Sequence, residues 1–126
     1  MNTDQLILNQ RGVRALQDDR YGTGEGAVWE TAGPDTGLAQ LSFAHAIVAP
    51  GKTLPAHYHE RMSEVYHVVA GEGVMTLNGT RHAVRVGDTI SLPPGTVHSL
   101  TNHGAEPVRL LVATSPAYDP ADDHEV

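Results

Sequence analysis

Hydrophobic positions along this chain come in short runs rather than at helical spacing. Val, Ile, Leu and Thr gather in stretches of four to eight residues, and Gly and Pro interrupt them too often for ordinary helices. The pattern predicts strands at roughly Gly26–Thr31, Leu41–Val48, Ser63–Ala70, Gly73–Leu77, Arg81–Val86, Thr89–Leu92, Val97–Asn102 and Val108–Ala113. Leu77-Asn78-Gly79-Thr80 is a hairpin signal, because Asn-Gly supplies the two positive-φ residues that a type I′ turn requires. Gly71-Glu72-Gly73 and Gly87-Asp88 read as further turns in the same series. Many short antiparallel strands without long helices imply an all-β sandwich or closed barrel. We expect one domain with its barrel core at about 26–114, an N-terminal arm at 1–20 and a tail at 115–126. No internal repeat or low-complexity tract divides it.

Composition narrows the classes. The 126 residues suffice for one closed core, and 40% hydrophobic with 18% charged residues is ordinary globular usage. A formal net charge of −7, with no basic run, argues against a nucleic-acid partner. No apolar stretch is long enough to cross a bilayer, and the first ten residues lack the pattern of a secretion signal. We therefore expect a soluble cytoplasmic protein without membrane contact. With no cysteine, any metal must sit on imidazole and carboxylate.

His57 and His59 are two apart, a spacing that turns both imidazoles to one face of a strand. Glu64 follows a polar connector, and His98 follows Pro93-Pro94-Gly95, a turn that would start another strand. Three imidazoles and a carboxylate suit a borderline divalent metal such as Mn, Fe, Ni, Co or Zn, with positions left open for a substrate. A single histidine is more often an ordinary surface or core residue, and a His pair at this spacing arises readily by chance.

The longer spacing is more specific. One segment runs Gly51, five residues, His57, one, His59, four, Glu64, six, Gly71. A second runs Gly87, five residues, Pro93, one, Gly95, two, His98, three, Asn102. These resemble the two signature motifs of the cupin superfamily, without departure at any fixed position. The chain looks most like its small single-domain metal-binding members, the mannose-6-phosphate isomerase-like or cupin-2 conserved-barrel type. The resemblance implies a double-stranded β-helix, or jelly-roll barrel. It implies His57, His59, Glu64 and His98 as ligands of one divalent transition metal per chain. It also implies turn roles for Gly51, Gly71, Gly87 and Gly95, a structural role for Asn102, and a homodimer.

Two further residues are candidates for the chemistry. If Glu64 points inward, Tyr66 and Val68 do too, and His67 faces out. Tyr66 is then either an acid or hydrogen-bond donor toward a bound ligand, or a core tyrosine. Leu41, Phe43, His45 and Ile47 share a face whose apolar members suggest the interior, which would place His45 in the cavity as a base or substrate contact, or as a buried neutral histidine. Met75 and Leu77 are expected to complete the apolar wall. His82, His103 and His124 read as surface residues, and Asp119, Asp122 and Asp123 as a solvated acidic tail or a cover for the barrel mouth. A divalent ion with one carboxylate keeps about one positive charge, which favours a bound carboxylate, enolate or hydroxyketone oxygen. The expected function is a metal-dependent enzyme for a small oxygenated substrate (a keto acid, diketone or sugar derivative) by dioxygenase, isomerase/lyase or decarboxylase chemistry. The competing expectation is a non-catalytic ligand-binding protein whose metal only anchors the ligand.

Overall fold

The computed structural model describes residues 15–16 and 27–126. The described strands are β1 (Ala15–Leu16), β2 (Ala27–Ala32), β3 (Ser42–Val48), β4 (Thr53–Tyr58), β5 (Ser63–Ala70), β6 (Glu72–Leu77), β7 (Thr80–Arg85), β8 (Thr89–Leu92), β9 (His98–Thr101), β10 (Val108–Ser115) and β11 (His124–Glu125). They form a six-stranded sheet ordered β1-β2-β3-β10-β5-β8 and a five-stranded sheet ordered β11-β4-β9-β6-β7, with every pairing antiparallel. From β3 to β11 the chain passes from one sheet to the other at nearly every connection, the winding of a jelly roll. Among the described residues no helix is long and apolar enough to cross a membrane.

All eight expected strands form. Three more are added: the two-residue β1 and β11, and β4, where Pro55 interrupts the strand pattern. β4 pairs with β9 as Leu54↔Leu100 and then His57↔His98, so three steps on β4 face two on β9. This bulge accommodates a residue with no N–H to give the ladder. It also changes the parity of the strand, so that Leu54 and His57 are both buried although they are an odd number of residues apart.

The turns are local and behave as their residues dictate. Asn78 and Gly79 both take positive φ, 47° and 87°, and close the β6–β7 hairpin. Gly51, Gly71, Gly87 and Gly95 also have positive φ. At Gly71 the requirement is doubly strict, because a Cβ there would collide with the Pro107 carbonyl.

The core between the sheets is aliphatic, with Val48, Leu54, Val68, Met75, Leu100 and Val108 wholly buried and Leu77 packed against it. Asn102, also wholly buried, donates from Nδ2 to the carbonyls of Val48 (2.9 Å) and Glu106 (2.8 Å), and its Oδ1 accepts from Gly104 N–H at 2.9 Å. Its expected structural role agrees with this geometry.

Two expectations are corrected. On β3 it is Ser42, Ala46 and Val48 that are buried inward, while Leu41 is 43% exposed. His45 therefore lies on the outer surface of the six-stranded sheet, stacked on Trp29 at 5.6 Å with an interplanar angle of 9°, with Phe43 edge-on. Small residues face inward because Tyr66, Met75 and Leu100 from other strands already fill that space. The tail after Ser115 is likewise no solvated arm. It folds back across the barrel, adds β11 beside β4 and buries Asp122. At the other terminus, Ala15 and Leu16 extend the sheet as β1, paired with Trp29 and Val28 of β2. The rest of the expected N-terminal arm lies outside the described residues.

Candidate metal centre

At one end of the barrel the apolar core gives way to a buried polar cluster. The bulge turns His57 inward from β4, and His59 follows just past the strand end. Glu64 enters near the start of β5, and His98 opens β9 directly opposite His57. The Pro93–Gly95 turn leading to His98 is tied to His59, whose carbonyl accepts from Gly95 N–H at 2.6 Å. All four side chains are buried, His98 at 1% and Glu64 at 6% exposure. The structure thus brings together every residue expected to hold a metal.

Ring orientations are set by the backbone. His57 Nδ1 lies 2.8 Å from the Pro55 carbonyl and His98 Nδ1 2.9 Å from the Thr96 carbonyl. A carbonyl can only accept, so each Nδ1 carries a proton, and in the neutral ring Nε2 then presents its lone pair to the cluster, the arrangement a metal-binding imidazole needs. His98 Nε2 stands 3.3 Å from Glu64 Oε1, and neither of these buried atoms has a hydrogen-bond partner. His59 Nδ1 is 4.0 Å from the same carboxylate oxygen. One donor atom each from His57, Glu64 and His98 lie within 4.8 Å of one another. Donors held at about 2 Å from one ion are spaced on this scale. Burial, and then the proximity of His98, push the His57 pKa below its ordinary value, against the opposing pull of the Pro55 carbonyl, Asp123 and Glu64. His57 is therefore neutral at physiological pH, as a ligand must be.

Tyr66 is 2% exposed and meets the His98 ring edge-on, with centroids 5.7 Å apart. It thus points inward beside the cluster, as the two-residue period predicts. His67 points outward and bonds Thr89 Oγ1 through Nδ1 at 2.8 Å. His45, on the outer face, takes no part in the site. His82 and His103 are exposed, as expected. His124 is instead half-buried, stacked on Tyr58 with Nε2 3.3 Å from Asp122 Oδ1.

The residue that sequence reasoning undervalued is Asp123. Its Oδ1 lies 3.9 Å from His59 Nε2, and it groups with His57 and His59 within the same 4.8 Å separation. Its neighbour Asp122 anchors the tail, accepting from the backbone N–H of Glu60 (2.8 Å), Arg61 (3.0 Å) and Met62 (3.0 Å). Burial would raise the Asp122 pKa, but these hydrogen bonds and the one to His124 outweigh it and hold the carboxyl well below the ordinary range. Only the Asp-rich composition of the tail could have hinted at this.

Comparison with known proteins agrees with the architecture. An uncharacterized protein, MJ1618, from Methanocaldococcus jannaschii is 38% identical over 81 residues, covering 64% of this chain and 65% of that protein. An oxalate-binding protein of Thermotoga maritima is 33% identical over 69 residues, 55% of this chain and 57% of its own length. The chain thus spans less than two thirds of these relatives. The crystal structure of the polyketide cyclase RemF from Streptomyces resistomycificus shares the fold, with a TM-score of 0.78 at 20% identity, covering 95% of this chain and 84% of the cyclase. The family model of the cupin domain matches residues 44–114, the stretch from β3 through β10 that carries all four clustered side chains. The chain is a member of the cupin family.

Proposed function

We propose that this cupin is a metal-dependent enzyme for a small oxygenated substrate, with His57, His59, Glu64 and His98 holding one divalent ion. The observation that carries this is the apposition of Glu64 Oε1 and His98 Nε2 at 3.3 Å, both buried and unpartnered. Two acceptors facing each other away from water are unfavourable unless a cation lies between them. Mn, Fe, Ni, Co and Zn all accept this ligand set. When bound, the ion supplies Lewis acidity toward a substrate oxygen or, if redox-active, a route to dioxygen. The chain contributes three neutral imidazoles and one carboxylate, a set that leaves a net positive charge for a carboxylate, enolate or hydroxyketone group. Tyr66 borders the same space and is a candidate donor to that group.

The substrate class is a keto acid, diketone or sugar derivative, and the reaction class dioxygenase, isomerase/lyase or decarboxylase. An oxalate-binding protein and a polyketide cyclase among its relatives and structural neighbours are in keeping with oxygen-rich ligands. Protein purified without chelator or affinity tag should carry near-stoichiometric metal by elemental analysis, and His59→Ala should lose most of it. Folded wild-type protein that holds no metal and takes up none when it is added would remove this reading.

The outer face of the six-stranded sheet supports a homodimer. Trp29, His45, Leu111 and His67 align in one row across four strands, and Phe43, Ala113 and Val65 in the next. Val65 and Val69 there are 37% and 43% exposed. Although the chain carries a net charge of −7, these strands present no acidic side chain on that face, where Arg109 lies beside Trp29 and His45, so a second copy can dock without carboxylate repulsion. Light scattering should give twice the 13.4 kDa chain mass, and Val65→Lys should halve it without loss of metal.

A further inference from the structure

We propose that Asp123 is an additional, exchangeable ligand to the metal, carried on a latched C-terminal strap that occupies the position a substrate oxyanion would take. This inference rests on the metal reading above. Asp123 Oδ1 lies 3.9 Å from His59 Nε2, and one donor atom each from Asp123, His57 and His59 lie within 4.8 Å of one another. The carboxylate is oriented rather than free to turn, because its Oδ2 accepts from Tyr118 O–H at 3.0 Å, which leaves Oδ1 toward the histidines. Glu64 groups with His57 and His98, whereas Asp123 groups with His57 and His59. The two carboxylates thus approach the cluster from different sides, with His57 common to both.

The strap is built to hold that pose. Asp122 collects the three consecutive amides of Glu60, Arg61 and Met62, the connector that separates His59 from Glu64. One segment therefore delivers Asp123 and also fixes the spacing of two expected ligands. β11 pairs with β4 beside them, with Glu125 opposite His57. Between Pro116 and Val126 Asp122 alone is buried, so local release is cheap compared with opening the barrel.

Charge gives the consequence. A divalent ion with Glu64 alone carries about one positive charge, and with Asp123 as well it is neutral. The closed state is then electrically satisfied, and an incoming carboxylate or enolate can replace Asp123 without changing the net charge of the site. The strap would exclude water and weakly bound anions while still yielding to a substrate that offers better contacts.

The test uses cobalt(II), whose visible bands report its coordination. In chelator competition, Asp123→Ala should bind cobalt at least 10-fold more weakly than the wild type and show an altered visible spectrum. Acetate titrated into the cobalt-loaded variant should bind at least 10-fold more tightly than to the cobalt-loaded wild type. Asp123→Asn, which keeps the side-chain shape, should show the same changes in milder form. Asp122→Ala, which loosens the latch but keeps Asp123, should strengthen acetate binding as well. Cobalt affinity and spectrum unchanged in both Asp123 variants would overturn the inference while leaving the four-residue site standing. Wild-type protein that binds no cobalt would overturn both.

Discussion

Replacing Glu64 with Gln should move stability and metal affinity in opposite directions. Glu64 Oε1 faces His98 Nε2 at 3.3 Å with neither atom partnered. An amide at this position can donate a hydrogen bond to that nitrogen and removes a buried negative charge. The metal-free variant should gain roughly 1–2 kcal/mol, seen as a melting temperature higher by roughly 3–8 °C. With metal, the same change removes the one anionic donor among the four expected ligands. Affinity should fall by about 100-fold or more, since even the outer-shell partners of metal ligands are worth about 10–100-fold. Calorimetric melting of chelator-treated protein and competition titration of the loaded protein check the two arms. A carboxylate retained for packing or for an ion pair would lower stability when neutralised and would leave metal binding untouched. The opposed signs are therefore specific to a cation site.

Asn102→Ala should be among the most destabilising polar truncations in the chain. The side chain is wholly buried and makes three hydrogen bonds, to the Val48 and Glu106 carbonyls and from Gly104 N–H. Its backbone adds two more, donating to the Lys52 carbonyl and accepting from Gly51 N–H. One residue thus joins the loop after β3 to the loop before β10. Truncation orphans the buried Val48 carbonyl and two part-buried backbone groups and leaves a small cavity, at a cost of roughly 2–4 kcal/mol. Asn102→Asp should do little better, because it sets a carboxylate against two carbonyl oxygens that need donors. Chemical denaturation gives the difference directly. Since Asn102 follows β9 and His98 begins it, the fraction that remains folded should keep its full metal content.

Much of the candidate site was legible before any coordinates. The motif spacing named His57, His59, Glu64 and His98, and the fold gathers all four at one end of the barrel. Tyr66 was placed correctly because β5 is regular from Ser63 to Val68, so a period of two from Glu64 holds there. His45 was misplaced by the same kind of counting. On β3 the apolar bulk lies on the outer face, and hydrophobicity alone does not say which face is inside. The bulge at Pro55 was invisible for a related reason. Period-two counting from Leu54 would have sent His57 outward, and only the register against β9 reveals the parity change.

What the sequence determined by itself is what short-range chemistry decides. Asn78-Gly79 makes a tight hairpin here, glycines mark the positive-φ turns, and the fixed gaps between the motif residues assign the family and the four-residue cluster. The tertiary structure decided what depends on filling a common volume and on partners distant in the chain. It turned small residues of β3 inward because larger ones already occupied the core. It also brought Asp122 to amides as much as 62 residues away, carrying Asp123 to the histidines. No local pattern encodes that contact, because a carboxylate in an acidic tail is equally well satisfied by water until the rest of the barrel presents three amides in a row.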